Sequence, residues 1–585
     1  MCGIIAYSGR KEAPEVLLNG LRRLEYRGYD SSGIAVVGNP SIKVVKAVGK
    51  VDALGNSQGF SGLRGNTGIA HTRWATHGGV TQENAHPHMS SDGAVAVVHN
   101  GIIENFRELK AALKEYVFYS ETDTEVIPKL IEQGMREGKT FVDAARDAVA
   151  RIEGRYAVVA LHKDGTMVAA RNGSPLVLGV GDGEYFAASD IPAFMQYTKR
   201  VVYLGDYDFA VIGKGLHIEN LQTGPVTRDV STIEWDAQSA EKGVFEHYML
   251  KEIAEQYETL SRTLEQDPSV ITRLATDVRN AESVVLVAAG TAYHACISGR
   301  LLFSRIADKN VASVRSSEFE NVAHLIDADT LVLAVSQSGE TADTLEAVRM
   351  AKDAEAKVVA IVNVAGSTLH RESSYALFTN CGPEIGVAST KAYTAQLALM
   401  VLTAYALEGK LDEGRRVLDS ARNDVYNLTA VSTREHLKEL AETLKSMEHV
   451  FTIGRQLEYA TAKEAALKIK EVSYIHVEAL QAGELKHGTI ALIEKGTPCI
   501  VFFSAANKRE TLSNAHEVRA RGAYVVGVGP EKDEAFDYFI KVPETGLCNP
   551  ILQIIPMQVL AYQLAVLRGK DPDRPRNLAK SVTVK

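Results

Sequence analysis

Two rhythms of apolar and polar residues divide the chain. Up to about residue 230 the apolar residues come in short runs, among them Ile34 to Val37, Val95 to Val98 and Tyr156 to Leu161, which read as strands. Helix-spaced apolar positions over Ala13 to Leu24 and Thr124 to Glu132 add two helices, so this part is expected to be α+β. Asp229 to Lys242 is charged and poor in apolar residues and reads as a linker. From Glu246 onward, helical patterns alternate with wholly apolar strands, the arrangement that builds a parallel sheet with helices on both faces. That second rhythm occurs twice. Ser283 to Ala289 before Gly290 answers to His449 to Ile453 before Gly454, and Leu331 to Ser336 answers to Ile500 to Ser504, by nearly the same offset. The expected division is 1–230, a linker over 231–248, one doubly wound copy over 249–428, its repeat over 429–575, and a tail over 576–585.

Composition narrows the class. A chain of 585 residues exceeds what one hydrophobic core supports. A net charge of −9 gives no overall basic surface for nucleic acid. The five cysteines (Cys2, Cys296, Cys381, Cys499, Cys548) are widely spaced with no CxxC pair, which suits a reducing cytoplasm without disulfides or zinc. No basic segment leads into an apolar run at the N-terminus, so no signal peptide is expected. Ile551 to Leu567 is interrupted by Gln553, Pro556, Gln558 and Gln563 and reads as a buried helix, not a membrane span.

The chain opens with Met1-Cys2-Gly3. Removing the initiator methionine would give Cys2 a free α-amine beside its thiol. The amine titrates near about 8 and the thiol near about 8.5, so the amine can accept the thiol proton directly or through one water. Alone, such a start reads as a small residue beginning a strand. Four further blocks change that: Tyr26-Arg27-Gly28-Tyr29-Asp30-Ser31-Ser32-Gly33, then His71-Thr72-Arg73-Trp74-Ala75-Thr76-His77-Gly78, His99-Asn100-Gly101 and Ser120-Glu121-Thr122-Asp123. With Cys2-Gly3-Ile4-Ile5 they resemble the N-terminal-nucleophile class of glutamine amidotransferases. The resemblance implies a four-layer α+β domain with Cys2 as nucleophile. It implies the Asn100 side-chain amide and the Gly101 backbone N–H as donors to the tetrahedral oxyanion, where a missing donor costs about 100- to 1,000-fold in rate. Arg73 offers a planar fork for the α-carboxylate of glutamine, and Asp123 the anion for its α-ammonium. Thr76, His77 and Gly101 complete that pocket, and Trp74 gates an internal ammonia channel. Five of the sixteen histidines (His71, His77, His86, His88, His99) fall in this window, but without carboxylate or thiolate ligands at recognisable spacing no metal is expected.

Ser336-Gln337-Ser338-Gly339-Glu340-Thr341 follows the apolar strand Leu331 to Val335 and opens a helix from Ala342. Backbone N–H groups and hydroxyls then converge in front of a positive helix terminus, which makes a phosphate cradle. The lysine of GxxxxGK[ST] is absent, so nucleoside triphosphate binding is not implied. The segment resembles the sugar isomerase (SIS) domain. That likeness implies that Ser336, Gln337, Ser338 and Thr341 hold a sugar phosphate, with Thr291 and with Ser389 from Gly386-Val387-Ala388-Ser389-Thr390-Lys391. Many relatives read Cys-Gly-Thr-Ser where this chain has Ala289-Gly290-Thr291-Ala292, so a hydroxyl is missing at 292. In the repeat, Ser504-Ala505-Ala506-Asn507 lacks the hydroxyl pattern, and only the first copy is expected to take phosphate.

The repeat keeps other equipment. In Lys463-Glu464-Ala465-Ala466-Leu467-Lys468-Ile469-Lys470-Glu471, the side chains of Glu464, Lys468 and Glu471 share one helix face, and Gly483-Glu484-Leu485-Lys486-His487-Gly488 follows. Converting an open 2-ketose to a 2-amino aldose needs a base that moves a proton from C1 to C2 and a group that opens the ring. The resemblance assigns proton transfer to Glu471, assistance to Glu464 and Lys468, and ring opening to His487. In the tail it points to Lys580 as the amine that forms a Schiff base with the open ketose.

Over its whole length the sequence resembles the glutamine:fructose-6-phosphate aminotransferase family, a multidomain architecture of one amidotransferase domain followed by two tandem α/β doubly wound parallel-sheet SIS domains. The resemblance implies hydrolysis of L-glutamine at Cys2, internal transfer of ammonia, and conversion of D-fructose 6-phosphate to D-glucosamine 6-phosphate. Enclosure matters because ammonia released into water at pH 7 is protonated and no longer nucleophilic. No cofactor and no metal are implied. The implied assembly is a cytoplasmic C2 homodimer with His487 supplied across the interface, and no nucleic-acid or membrane partner. Retention of Glu464, Lys468, Glu471, His487 and Lys580 argues against a deglycase built on SIS domains. A phosphoribosyl amidotransferase would need an acidic pyrophosphate loop after an apolar strand, and a sugar-phosphate sensor would have no use for Cys2.

Overall fold

The structure, a computed structural model, describes residues 2–38, 41–213, 215–233 and 242–583. It resolves into two compact units, Met1–Glu241 with Ser581–Lys585, and Lys242–Lys580.

The first unit is built on two antiparallel sheets. One has eight strands in the order Val230–Thr232, Arg200–Tyr203, Val177–Val180, Tyr185–Ala188, Gly3–Ser8, Thr67–Arg73, Ser31–Val37, Ile42–Val48. The other has seven, in the order Gly224–Pro225, Leu216–Asn220, Asp208–Ile212, Met167–Asn172, Gly154–His162, Val95–Ile103, His88–Met89. Side-chain alternation along a strand sorts its residues into two cores. From the strand Gly3–Ser8, Ile4 and Ala6 enter a core shared with Ala96, Val98 and Val159 of the second sheet. Ile5 and Tyr7 point the other way, toward Leu17 and Leu21 of the helix Ala13–Leu24. Helices Val126–Arg136 and Phe141–Ala150 cover the far face of the second sheet, which completes four layers. Gly3–Ser8 is an interior strand, and its register Gly3↔Thr72 sets Arg73 and Trp74 beside Cys2.

The second unit carries two five-stranded parallel sheets of identical topology. The first runs Ala312–Arg315, Ser283–Ala288, Thr330–Ser336, Lys357–Val362, Tyr375–Phe378; the second runs His476–Gln481, His449–Gly454, Pro498–Phe502, Tyr524–Gly529, Tyr538–Lys541. The repeat read from the apolar rhythm is therefore structural, with first strand matching first and third matching third. The two copies share one apolar core, to which Lys391–Leu407 and Asn549–Leu567 both contribute. The latter helix is long and apolar enough to cross a membrane, yet 83% of its most apolar window is buried inside the protein. This agrees with its reading as a core helix.

Two expectations are revised. The stretch from Asp229 is not all linker, because Val230–Thr232 pairs with Arg200–Tyr203 as an edge strand; residues 234–241 lie outside the described ones. The helix expected from Thr124 begins with a tighter turn over Asp123–Glu125 and runs as Val126–Arg136.

The helix Leu457–Ser473, which bears Glu464, Lys468 and Glu471, is entered through Gln456 at φ 58° and ψ −122°. A side chain there is strained by about 1–3 kcal/mol, which glycine does not incur, while glycine loses about 0.5–1 kcal/mol of chain entropy. Gln456→Gly is expected to stabilise the second unit by about 1 kcal/mol, read as a small rise in its calorimetric transition. A fall in that transition would show that the side chain's bond from Arg305 outweighs the strain.

Candidate active site

In the first unit the side chains gather at the start of the strand Gly3–Ser8. Cys2 is half-buried, and its Sγ lies 3.3 Å from the Trp74 amide N–H, which donates to it. Burial pushes the Cys2 thiol up, the Trp74 amide and Arg73 pull it back, and Asp123 adds to the rise. The Cys2 carbonyl accepts from Asn100 Nδ2 at 3.1 Å and from Arg27 Nε at 3.4 Å. Asn100 Nδ2 also donates to Ser189 Oγ at 2.8 Å, and that hydroxyl receives the Ile4 N–H. Gly101 sits at φ 127°, and a Cβ there would lie 1.9 Å from the Arg155 carbonyl oxygen, so only glycine fits.

Arg73 is buried, and its guanidinium donates to the carbonyls of Gly79 (2.9 Å), His77 (2.5 Å) and Gly78 (3.3 Å). It thereby fastens the loop after Trp74. Asp123 Oδ2 accepts the Ile103 N–H at 2.8 Å, and Oδ1 accepts no hydrogen bond among the described residues. His77 rests edge-on against the Phe106 ring, Thr76 is exposed, and the Trp74 indole stands edge-on to Tyr29 at 5.7 Å.

Behind Asn100 lie four buried imidazoles. His71 stacks on His86 at 4.1 Å, and His86 meets His88 edge-on at 4.8 Å. His86 Nδ1 accepts the His99 N–H, His99 Nδ1 bonds Thr124 Oγ1, and His88 Nε2 bonds Thr122 Oγ1. Burial drives all four down, His71 to about 3 and His86 and His88 well below the usual range. They are neutral in the fold, whereas in the unfolded chain they take protons below about pH 6.5. Their contribution to stability is complete above that pH and is lost as pH falls, by up to about 1.4 kcal/mol per pH unit for each. Histidine C2-hydrogen exchange followed by mass spectrometry is expected to show midpoints below the ordinary imidazole value at these four positions, furthest at His71, His86 and His88. A midpoint near 6.5 in the folded protein would contradict it.

In the second unit the strand order reverses direction between Ser283–Ala288 and Thr330–Ser336, and such a switch point opens a crevice at the strands' carboxyl ends. One rim is Ser336-Gln337-Ser338, leading into the helix Ala342–Asp353. Ser336 Oγ accepts the Gly339 N–H at 3.0 Å and Ser338 Oγ the Glu340 N–H at 3.2 Å, which shapes the loop. Gly339 has φ 67°, and a Cβ would strike Ser367 Oγ at 2.2 Å. Thr341 begins the helix without a side-chain cap.

The other rim is the first turn of Gly290–Ala307, and here the two copies meet. Thr291 Oγ1 donates to Glu464 Oε1 at 3.0 Å, and His294 Nδ1 lies 2.7 Å from Glu464 Oε2. Lys468 Nζ donates to Thr291 Oγ1 at 3.0 Å and to Glu471 Oε2 at 2.6 Å. Burial would lower the Lys468 ammonium, but Glu471 and Glu464 outweigh it and hold it raised. Burial raises the Glu471 carboxyl against the pull of Lys468. Thr291 is thus placed within the carboxylate–lysine cluster.

The tail is docked. The buried Lys580 Nζ donates to Glu384 Oε2 at 2.6 Å, and Glu384 also receives Ser389 Oγ (2.7 Å) and the N–H groups of Thr390 (2.9 Å) and Ala392 (3.1 Å). Burial alone would raise the Glu384 carboxyl, but Lys580 and these donors hold it at about 2. Ser389 therefore spends its hydroxyl hydrogen on Glu384. Nearby, Glu252 accepts the N–H groups of Ile385 and Gly386 through Oε1 while Oε2 has no hydrogen-bond partner among the described residues, and burial pushes its carboxyl up to about 8. Lys580 lies close enough to Glu471 to lower it, so the two clusters adjoin. His487 is exposed at the end of Glu484–His487 and makes no hydrogen bond to Glu464, Lys468 or Glu471 among the described residues. Sequence reasoning missed Glu384, Glu252 and His294; the Pro383-Glu384 step just before Gly386-Val387-Ala388-Ser389 was the available hint for the first.

Comparison with known proteins defines the class. Residues 71–196 match the model described as a glutamine amidotransferase domain, and residues 277–406 and 443–568 each match the SIS domain. The second unit is similar to the C-terminal domain of glucosamine-fructose-6-phosphate aminotransferase from Francisella tularensis, at TM-score 0.52 and 32% identity, covering 57% of this chain and 99% of that one. It is also similar to a putative phosphosugar isomerase from Silicibacter pomeroyi, at TM-score 0.50 and 26% identity, covering 56% and 100%. This is an amidotransferase joined to a pair of SIS domains. Over 601 residues and the full length of both chains it is 44% identical to the glutamine–fructose-6-phosphate aminotransferase (isomerizing) of Thermococcus kodakarensis, and over 605 residues 46% identical to that of Thermus thermophilus, again with full coverage of both. The chain belongs to the glutamine–fructose-6-phosphate aminotransferase (isomerizing) family.

Proposed function

We propose that this protein converts D-fructose 6-phosphate and L-glutamine to D-glucosamine 6-phosphate and glutamate. The observation that carries the reading is full-length identity to relatives of that name. After loss of Met1, which lies outside the described residues, the Cys2 amine takes the thiol proton and Sγ attacks the glutamine amide. Asn100, turning one Nδ2 hydrogen away from the Cys2 carbonyl or Ser189 Oγ, and the Gly101 N–H hold the oxyanion, and Arg73 and Asp123 hold the α-carboxylate and α-ammonium, with Thr76 and His77 at the rim. A glutamyl thioester forms, ammonia leaves behind the Trp74 gate, and water releases glutamate.

Ser336, Gln337, Ser338 and Thr341 take the sugar phosphate. Lys580 forms an iminium with the open ketose and expels water, with Glu384 as its counter-ion. Ammonia then displaces the lysine, and Glu471 carries the proton from C1 to C2 beside Lys468 and Glu464. Thr291 and Ser389 line the same sugar-phosphate pocket, with their hydroxyls bonded to Glu464 and Glu384. The exposed position of His487 supports its action in the site of a second subunit, and we infer a cytoplasmic homodimer. Incubation with both substrates is expected to give equimolar glutamate and hexosamine 6-phosphate by mass. Glutamate without hexosamine would overturn the reading.

A further inference from the structure

We propose that His71 is a positioning residue of the amide-cleaving site, and that its imidazole fixes which end of the Asn100 amide faces Cys2. The proposal rests on the reading of Asn100 as an oxyanion donor. An asparagine side chain has a donating and an accepting end of nearly the same shape, and only the donating end can stabilise an oxyanion. Something must therefore decide between the two.

The geometry around Asn100 makes that choice at both ends. His71 Nε2 lies 3.1 Å from the His99 carbonyl oxygen and 3.1 Å from Asn100 Oδ1. A backbone carbonyl can only accept, so Nε2 must carry the hydrogen, and the Asn100 atom that shares it must be the oxygen. At the other end Nδ2 lies 3.1 Å from the Cys2 carbonyl oxygen, which also only accepts. A turned amide would set oxygen against oxygen at Cys2 and N–H against N–H at His71. His71 Nδ1 is buried without a hydrogen-bond partner among the described residues, so nothing competes for the ring's hydrogen. The ring cannot swing away, because it stacks on His86 at 4.1 Å.

The placement also explains why a histidine is used. His71 stands on the strand Thr67–Arg73 of the eight-stranded sheet, and Asn100 on Val95–Ile103 of the seven-stranded one. The imidazole crosses the layer between them. Cys2, Arg73 and Trp74 belong to the first sheet's edge of the site and Asn100 and Gly101 to the second's. With the direct bond from Asn100 Nδ2 to the Cys2 carbonyl, His71 thus registers the oxyanion donor on one sheet to the nucleophile on the other.

The test measures glutamine hydrolysis by the full chain. His71→Ala is expected to lower kcat by about 10- to 100-fold, part of what a lost oxyanion donor costs, with KM for glutamine within about threefold because Arg73 and Asp123 are untouched. His71→Gln can place an N–H where Nε2 was and should recover most of the loss, while the shorter His71→Asn should not. In an Asn100→Ala background, His71→Ala should cost less than about threefold, since it acts only through that amide. Equal losses from His71→Ala in both backgrounds, or a His71→Gln variant no better than His71→Asn, would sink the proposal while leaving the oxyanion reading intact. An unchanged kcat in Asn100→Ala alone would sink that reading and the proposal with it.

Discussion

Cys2→Ala abolishes glutamine hydrolysis, with kcat falling by about 10⁴-fold or more, because the nucleophilic sulfur is gone and the α-amine that remains has no thiol to activate. The loss is confined to the first unit. Borohydride in the presence of fructose 6-phosphate should still trap a lysine adduct on the variant, since Lys580, Glu384 and Ser389 belong to a separate cluster. Trapping at Lys580, located by peptide mass, also tests the lysine's role in its own right. If the variant lost ketose trapping as well, the division of labour would be wrong. The same experiment bears on processing. Active protein must begin at Cys2 by intact mass, because an amide-linked Cys2 nitrogen cannot accept a proton.

Glu471→Gln has the second largest effect. It is expected to lower amino-sugar formation by about 10²- to 10⁴-fold, the usual contribution of a placed proton carrier, and to spare glutamine hydrolysis and lysine trapping. The surroundings of Glu471 support this proposed role. Burial raises the Glu471 carboxyl while Lys468 at 2.6 Å pulls it back. Glu464 cannot replace it. Its oxygens are committed to Thr291 and His294, and its side chain is fully buried. Unimpaired synthesis by Glu471→Gln would remove this residue from the proton path.

Much of this was legible in the sequence, and the reasons are physical. A helix such as Ala13–Leu24 announces itself because one face must meet a sheet, which imposes a 3.6-residue apolar period. Strands buried on both faces, such as Ser283–Ala288 and Thr330–Ser336, leave continuous apolar runs, and their recurrence exposed the repeat. Val230–Thr232 left no such trace, because it is an edge strand whose three residues are all exposed. The chemistry divided the same way. Cys2, Asn100-Gly101 and the Glu464, Lys468, Glu471 face could be found because their members lie together in sequence or share a motif.

Glu384 could not be placed with Lys580, because the two are 196 residues apart and a single carboxylate among many charged residues carries no periodic signal. Ser389 was read as a sugar-phosphate contact from its motif, and the hydrogen bond from its hydroxyl to Glu384 is something only coordinates reveal. The histidine-rich window raised the question of a metal. Its spacing argued against ligation, but not for what it is, a stacked neutral layer behind Asn100. Which imidazoles stack is set by pairing between two sheets, and no local pattern encodes that.

The central claim is that nitrogen freed at Cys2 reaches the sugar without mixing with solvent. The direct measurement supplies glutamine labelled with ¹⁵N at the amide, together with fructose 6-phosphate and a large excess of unlabelled ammonium, and weighs the hexosamine 6-phosphate formed. The account predicts product carrying essentially undiluted ¹⁵N. Product diluted to the isotopic composition of the bulk ammonium would contradict it.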